Sequence, residues 1–294
     1  MNYLDDLLKT LPEKRINSWW LYDARGSELF EAITELDEYY PTRTEMALLR
    51  DNARAIADFI GAEASLVEYG AGALTKVRIL LDAMERPARY LPVDVSGEFV
   101  GAAAAELARD YPALEVTPIV ASFLDPFDLS GLRNGVGFFP GSTIGNLRDE
   151  EIVSLLGHAR TLERFVLGVD LAKDPEVMVA AYDDAKGVTA RFGLNLLVRA
   201  NREVGADFDL EHWRHVAEWN ADKSRMELYV ESQRAQTVRV GVTAFAFGKG
   251  ERVLTEISRK FTPEILGPLL ADAGWGLKES WVDEAMPFAV LGLS

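Results

Sequence analysis

A glycine pair and a downstream aspartate in the sequence have the spacing of a nucleoside-binding site. Gly70 and Gly72 follow the apolar run "SLVEY" and precede a segment with the apolar periodicity of a helix. Glycines at such a turn let backbone N–H groups approach a ligand closely. Asp94 ends the next apolar run, and a carboxylate about 20 residues beyond the glycines typically binds ribose hydroxyls. The alternative is a turn that only ends a strand, with Asp94 capping the next helix.

Thr75 indicates which nucleoside the turn would bind. The dinucleotide fingerprint Gly-x-Gly-x-x-Gly needs a third glycine for close helix–strand packing around a pyrophosphate, and Thr75 stands at that position. This residue disfavours an NAD(P)-linked oxidoreductase, which stays the alternative from another enzyme class. It favours S-adenosylmethionine, a ligand without a pyrophosphate. Ser122 and Phe123 end the third predicted strand, where the adenine would lie.

The elements that would position these residues alternate along the chain up to about residue 175. Short apolar runs rich in branched and aromatic residues are separated by segments in which apolar residues recur every three or four positions. The predicted strands are 65–70, 89–96, 114–123, 136–142 and 164–171. This alternation predicts a parallel sheet with helices on both faces, which binds ligands at the carboxyl ends of its strands.

The pattern changes after residue 175. One or two helices are predicted over 175–205, antiparallel strands over 226–261, and a hairpin over 275–294. A parallel sheet completed by an antiparallel hairpin is typical of class I methyltransferases. We therefore expect an α/β, Rossmann-like fold with an inserted α+β domain. The expected boundaries are 1–175 with 261–294 for the methyltransferase domain, in which 1–45 contributes to the substrate pocket, and 176–260 for the inserted substrate-recognition domain.

Composition excludes several classes of function. The 47 acidic and 31 basic residues give a formal net charge of −16, which disfavours nucleic acid as a partner because phosphate backbones are repelled. The absence of cysteine excludes disulfides, thiolate metal sites and cysteine nucleophiles. No leader pattern and no apolar run of membrane-spanning length is present. We expect a monomeric cytoplasmic enzyme that acts on a small molecule, away from membranes.

The segment "EHWRH" is the best candidate for a metal site. It places His212 and His215 three residues apart on a predicted helix, beside Glu211. A zinc site needs at least a third protein ligand, and the sequence offers none at a suitable spacing. A solvated helix face is the favoured interpretation, and we expect no metal cofactor.

Several long segments resemble one enzyme family. They are "WLYDARGSELFEAITELDEYYPTRTE", "EYGAGALTK", "YLPVDVS", "FFPGSTIGNL" and "LTEISRKF". From about residue 16 onwards the chain is similar to the L-histidine Nα-methyltransferases of ergothioneine biosynthesis. The resemblance implies that S-adenosylmethionine is used to trimethylate the α-amine of histidine, giving hercynine. Methyltransferases for tryptophan derivatives share the framework, so another aromatic acceptor or fewer methyl transfers stays open. A non-catalytic binding protein is disfavoured because competent residues fill the motifs' polar positions.

The resemblance also implies roles for individual residues. The methyl donor would be bound by Gly70, Lys76, Asp94, Ser122 and Phe123. The amino acid would be bound through its carboxylate by Tyr39 and Asn146, through its imidazole nitrogens by Glu256 and Ser258, and in a ring pocket lined by Met226. Tyr22 would be the catalytic residue at the α-amine.

The chemistry of methyl transfer is compatible with these roles. The amine must be neutral and aligned with the methyl group, and a hydroxyl such as that of Tyr22 can orient its lone pair. An ordinary tyrosine pKa near 10 makes it a poor base at pH 7. Glu256 and Ser258 are two apart, so in a strand they share one face. The alternatives are a solvent-facing strand side for this pair, a helix cap for Asn146, and core packing for Tyr22 and Tyr39.

Overall fold

The computed structural model describes residues 2–72, 74–129 and 131–294, which form two compact units. The sheet unit consists of Pro41–Ala172 and Lys260–Ser294. The insert unit consists of Met1–Tyr40 and Lys173–Arg259. The expected boundaries near 175 and 260 lie within three residues of these, whereas the first 40 residues group with the inserted segment rather than with the sheet.

Helices and strands alternate in the order that the hydrophobic pattern predicts for a doubly wound sheet. In chain order the helices are α1 (Tyr3–Thr10), α2 (Ala24–Thr34), α3 (Tyr40–Asp51), α4 (Ala53–Ile60), α5 (Thr75–Ala83), α6 (Gly97–Asp110), α7 (Asp149–His158), α8 (Pro175–Tyr182), α9 (Val188–Val204) and α10 (Pro263–Asp272). The strands are β1 (Ser65–Tyr69), β2 (Arg89–Asp94), β3 (Glu115–Val116), β4 (Ile119–Val120), β5 (Gly135–Phe139), β6 (Arg164–Asp170), β7 (Trp213–Asn220), β8 (Arg225–Ser232), β9 (Gln236–Val240), β10 (Thr243–Phe247), β11 (Arg252–Arg259), β12 (Leu277–Asp283) and β13 (Phe288–Leu293).

The large sheet has the order β12-β13-β6-β5-β1-β2-β3, and β4 also pairs with β2. Strands β1 to β6 are parallel, whereas β13 is antiparallel to β6 and β12 to β13, which confirms the predicted C-terminal hairpin. The strand order reverses between β1 and β5, because the chain runs outward from β1 and then returns to its other side. Ligands of such sheets bind at the carboxyl ends of the strands at this reversal point.

Alternate side chains of β1 bury into opposite faces of the sheet, as expected for a strand covered on both sides. Leu66 packs in a cluster that includes residues of α4, α5 and α6. Val67 packs in a second cluster that includes residues of α7 and α10. Every residue of β1 is buried. This double burial fixes the register of the strand and therefore the position of the glycine turn that follows it.

Two segments depart from the sequence prediction. The third predicted strand, 114–123, is divided into β3 and β4 around Pro118, which lacks the N–H that a continuous ladder requires. The predicted helix at "EHWRH" is wrong, because the chain enters β7 at Trp213 and pairs it antiparallel with Ser232 of β8. Cross-strand pairing here overrides the three-residue spacing of the histidines.

The insert unit contains a three-stranded antiparallel sheet in the order β11-β8-β7 and a separate β9–β10 hairpin. Helix α9 packs against α2 and β7. Helices α8 and α9 confirm the prediction of one or two helices over 175–205. In the described part of the chain, no helix combines the length and apolarity needed to cross a bilayer.

Candidate active site

The glycine turn after β1 is open on one side. Gly70 and Gly72 have φ values of +68° and +49°, in the left-handed region that favours glycine. The N–H groups of Gly70 and Ala71 donate to the Val93 carbonyl at 2.9 and 3.1 Å, which ties the turn to the end of β2. Beyond its chain neighbours, a Cβ at Gly72 would come no closer than 4.0 Å to a described atom, the Gly70 oxygen. The turn therefore forms a cradle that a ligand can approach.

Asp94, at the end of β2, and Phe123, in the loop after β4, lie beside this turn. Asp94 ends β2 and is half-buried, and its Oδ1 accepts the Ser96 N–H at 2.9 Å. Ser96 is itself the N-cap residue of α6, so the alternative interpretation, in which Asp94 caps that helix, is wrong. The Phe123 ring packs on Phe139 with centroids 5.3 Å apart and would lie 3.5 Å from a Cβ at Gly70.

Ser122 has a local hydrogen bond beside Phe123. Its Oγ accepts the Leu124 N–H at 3.2 Å, and the side chain is half-buried. This bond shapes the loop that follows β4. The hydroxyl group keeps its own proton for donation to another acceptor.

Lys76 lies in the first turn of α5, and its ammonium forms an ion pair with a buried carboxylate. Lys76 Nζ is 2.5 Å from Glu45 Oε2, and Glu45 is fully buried. Both Glu45 oxygens also accept the Gly141 N–H, at 2.8 and 2.9 Å. Because Gly141 follows β5, this carboxylate joins the two strand ends at the reversal point of the sheet. Sequence reasoning missed Glu45, although it closes the motif "YYPTRTE".

Asn146 ends a short 3-10 helix, Thr143–Asn146, in the loop after β5. It is half-buried. The N-cap residue of α7 is Arg148, whose N–H donates to Glu151 at 2.8 Å. The interpretation of Asn146 as the cap of that helix is therefore wrong.

Aromatic side chains from α2, α8, α9 and the loops at Tyr22 and Tyr39 meet in the insert unit. The ring of Tyr22 contacts those of Phe30 and Phe192, with centroids 5.6 and 5.5 Å apart. Tyr39 contacts Phe30 at 6.3 Å and Tyr182 at 6.0 Å. All four contacts are edge-on, a geometry that aromatic quadrupoles favour. The structure thus brings two predicted site residues, Tyr22 and Tyr39, into one cluster.

The hydroxyl of Tyr22 stays protonated well beyond neutral pH. Its pKa is raised well above the usual range, chiefly by desolvation and then by the Glu256 carboxylate and the phenols of Tyr39 and Tyr182. The side chain is 39% exposed, so protein desolvates it without sealing it from solvent. Tyr22 therefore presents a neutral phenol, close enough to Glu256 to be affected by its charge.

Glu256 and Ser258 share one face of β11. A bulge lies between Leu254 and Glu256, and the pairing with β8 is regular from there on. Ser258 pairs directly opposite Met226, which is fully buried, so the two side chains lie on the same face. Ser258 is only 5% exposed, so the solvent-facing interpretation is wrong for this residue.

Tyr182 completes this group and was missed by sequence reasoning. It ends α8, and its hydroxyl shares a 2.8 Å hydrogen bond with that of Ser258. Its backbone carbonyl accepts the Nε2–H of His215 at 2.8 Å. Burial lowers the pKa of His215, against the opposing effect of this hydrogen bond, and thereby favours the neutral ring. In the described ranges, no group of three His, Cys, Asp or Glu residues is arranged to hold a metal ion.

The parallel sheet with its antiparallel C-terminal hairpin has the fold of the class I S-adenosylmethionine-dependent methyltransferases. A structure of such an enzyme from Clostridium acetobutylicum is similar to this chain, with a TM-score of 0.50, 10% identity, and coverage of 90% of this chain and 97% of that one. The profile of the family described as "Histidine-specific methyltransferase, SAM-dependent" matches residues 3–294, and the chain belongs to this family.

Two relatives are similar to this chain over most of its length. The histidine N-alpha-methyltransferase of Mycolicibacterium smegmatis is 41% identical over 292 residues, which cover 96% of this chain and 89% of the relative. Ergothioneine biosynthesis protein 1 of Neurospora crassa is 30% identical over 276 residues, which cover 89% of this chain and 31% of that protein. The chain is an S-adenosylmethionine-dependent N-methyltransferase, and the oxidoreductase alternative is wrong.

Proposed function

We propose that this enzyme methylates the α-amino nitrogen of L-histidine up to the trimethylated product, hercynine, by direct in-line transfer. The observation that carries the proposal is the shared face of Glu256 and Ser258 on β11, with Met226 opposite and the Tyr22 phenol within the influence of Glu256. This arrangement offers both ring nitrogens of an imidazole a polar partner. The name of the Mycolicibacterium smegmatis relative supports the same acceptor.

The residues around the glycine turn fit a nucleoside methyl donor. Gly70 and Gly72 leave the cradle open, Asp94 offers a carboxylate to ribose hydroxyls, and Phe123 offers a ring beside the turn. Ser122 would donate from its hydroxyl to the adenine. Lys76 would bind the carboxylate of the donor. When bound, S-adenosylmethionine supplies the electrophilic methyl group.

Ring recognition by Glu256 and Ser258 favours histidine over tryptophan. A neutral imidazole has one donor and one acceptor, which a carboxylate and a hydroxyl can satisfy together. An indole offers a single N–H, and leaving a buried polar group unpaired costs about 1–3 kcal/mol. Met226 supplies an apolar surface for the ring plane.

The remaining roles concern the carboxylate and the α-amine of the substrate. We propose that the Asn146 amide and the Tyr39 hydroxyl donate to the substrate carboxylate. The Tyr22 phenol accepts a hydrogen bond from the amine and thereby orients its lone pair. Because the raised pKa keeps this phenol protonated, the amine loses its proton to water rather than to Tyr22. Such positioning can contribute about 7–11 kcal/mol to lowering the barrier.

The number of transfers follows from the nitrogen itself. The first and second methylations each give an ammonium, which regains a lone pair by losing a proton to water, so the same in-line attack can be repeated with a new methyl donor. After the third methylation the nitrogen is quaternary and has no lone pair. The series therefore ends at three methyl groups.

Calorimetric titration with S-adenosylhomocysteine present tests the acceptor assignment. Histidine is expected to bind at least tenfold more tightly than tryptophan, because only histidine pairs with both Glu256 and Ser258. No binding of histidine, or a preference for tryptophan, would remove the assignment.

A further inference from the structure

Glu45 is a buried carboxylate of the sheet unit that is bound by other residues of the same unit. It is fully buried, which is costly for a charged group unless it is paired and hydrogen-bonded. Its partners are the Lys76 ammonium at 2.5 Å and the Gly141 N–H at 2.8 and 2.9 Å. One side chain therefore connects the helix after the glycine turn with the loop after β5.

The backbone around Glu45 is shaped to admit it. Gly168 of β6 lies so close to Glu45 that a Cβ at this position would collide with the carboxylate. Gly141 has a φ of +79°, which a residue with a side chain rarely adopts. Next to it, the Ser142 hydroxyl accepts the Asp170 N–H at 2.9 Å. The loop that leads to the predicted substrate residue Asn146 is thus fixed by Glu45 at its start and by β6 beside it.

Lys76 can donate a hydrogen bond to a ligand while it is paired with Glu45. An ammonium has three N–H donors, and the lysine side chain is 17% exposed rather than sealed. A Cβ at Gly141 would lie 3.3 Å from Lys76 Nζ, so the ammonium sits directly at the reversal point of the sheet. Its orientation is set by the carboxylate behind it.

We propose that Glu45 is a positioning residue of the methyl-donor site, which holds the Lys76 ammonium in the orientation that binds the donor's carboxylate. This inference rests on the proposed function, in which Lys76 binds S-adenosylmethionine. Glu45 itself does not touch the donor. Its contribution to donor affinity therefore depends on the presence of Lys76.

A double-mutant cycle on the affinity for S-adenosylhomocysteine tests the inference. Glu45→Gln keeps an acceptor for the Gly141 N–H but removes the charge that holds Lys76, and it should weaken binding by about tenfold or more. In a Lys76→Met background the same change should weaken binding by less than about threefold. Fully additive losses would overturn the inference, because a general structural defect does not depend on Lys76.

Controls separate folding from positioning. Asp110→Asn breaks the surface pair of Arg78 and Asp110 in the same unit and should leave the affinity unchanged. If Glu45→Gln alone does not fold, the double variant, which removes both charges, is compared with Lys76→Met. Equal affinities support the inference and a further loss overturns it.

Steady-state kinetics provide a second test. Glu45→Gln should raise the KM for S-adenosylmethionine and leave the KM for histidine unchanged. A rise in both KM values would overturn the inference.

The failure of this inference can be told apart from the failure of the proposed function. If the unmodified enzyme binds no S-adenosylhomocysteine, the donor assignment of Lys76 fails and the inference fails with it. If the unmodified enzyme binds it and Glu45→Gln binds equally well, only the positioning role of Glu45 is overturned.

Discussion

The hydroxyl groups of Tyr182 and Ser258 share a buried hydrogen bond of 2.8 Å between residues that are 76 positions apart. It joins the end of α8 to the strand that carries Glu256. Ser258 therefore has a fixed partner, which holds its hydroxyl oxygen in one position. A serine held in this way offers a ring nitrogen a preorganised contact rather than a rotating one.

Removing the Tyr182 hydroxyl should weaken histidine binding specifically. Tyr182→Phe keeps the ring contact with Tyr39 but leaves the buried Ser258 hydroxyl without this partner. We expect the KM for histidine to rise about 5–30-fold, with unchanged affinity for S-adenosylhomocysteine. Steady-state kinetics and calorimetry measure the two effects. Tyr111→Phe, which removes a hydroxyl bonded to Asp82, is the control and should change neither value. An unchanged histidine KM in Tyr182→Phe would show that the bond is only structural.

Glu256→Ala should raise the KM for histidine much more than the KM for S-adenosylmethionine. Loss of a hydrogen bond to a charged group is expected to raise the KM for histidine by about 10–150-fold, while the KM for S-adenosylmethionine changes little. Glu256→Gln keeps one acceptor oxygen, so its KM for histidine should lie between those of the unmodified enzyme and Glu256→Ala. Equal losses in both KM values would contradict the assignment of Glu256 to the imidazole.

Tyr22→Phe tests whether the phenol orients the amine or removes its proton. The ring contacts with Phe30 and Phe192 remain, so the melting temperature should change by less than about 2 °C. We expect kcat to fall about 10–100-fold, because the hydrogen bond that orients the amine is lost. Because the pKa of Tyr22 is raised well above 10, the phenol does not titrate between pH 7 and pH 9.5. The pH profiles of both enzymes should therefore have the same shape over that range. An ionisation present in the unmodified enzyme and lost in the variant would identify Tyr22 as a base.

Glu68 should make stability fall as pH rises. Burial raises the pKa of this carboxyl to about 8, from an ordinary value of 4.5, against the opposing effects of the Tyr90 hydrogen bond and of Lys76. Between these two values the folded state binds more protons than the unfolded state, so the free energy of unfolding decreases with increasing pH. The loss between pH 5.5 and pH 7.5 should reach about 2–3 kcal/mol. Urea denaturation of Glu68→Gln, which has no charge to bury, should show a flatter dependence. Parallel slopes for the two proteins would refute this prediction.

The fold could be predicted from the sequence because its signals are local. The apolar run at 65–69, the glycines after it and the helical spacing from Thr75 specify a strand, a turn and a helix without reference to distant residues. Repetition of this unit predicts the parallel sheet. Pro118, which divides the third strand, is an equally local signal, although the prediction was one continuous strand over 114–123.

The supporting residues of the site could not be predicted because they depend on long-range packing. Glu45 meets Gly141 across 96 positions, and Tyr182 meets Ser258 across 76. No periodicity reports such a pairing. The strand that begins at Trp213 also depends on a distant residue, because its pairing with β8 determines its conformation. The grouping of the first 40 residues with 173–259 is likewise a result of tertiary contacts.

Mass spectrometry of the products formed from histidine and S-adenosylmethionine tests the central claim most directly. The account predicts successive products with one, two and finally three methyl groups, all on the α nitrogen. The account would be contradicted if histidine stayed unmodified while tryptophan or another amino acid was methylated in a parallel reaction. A series that ends at one methyl group or modifies a ring nitrogen would also contradict it.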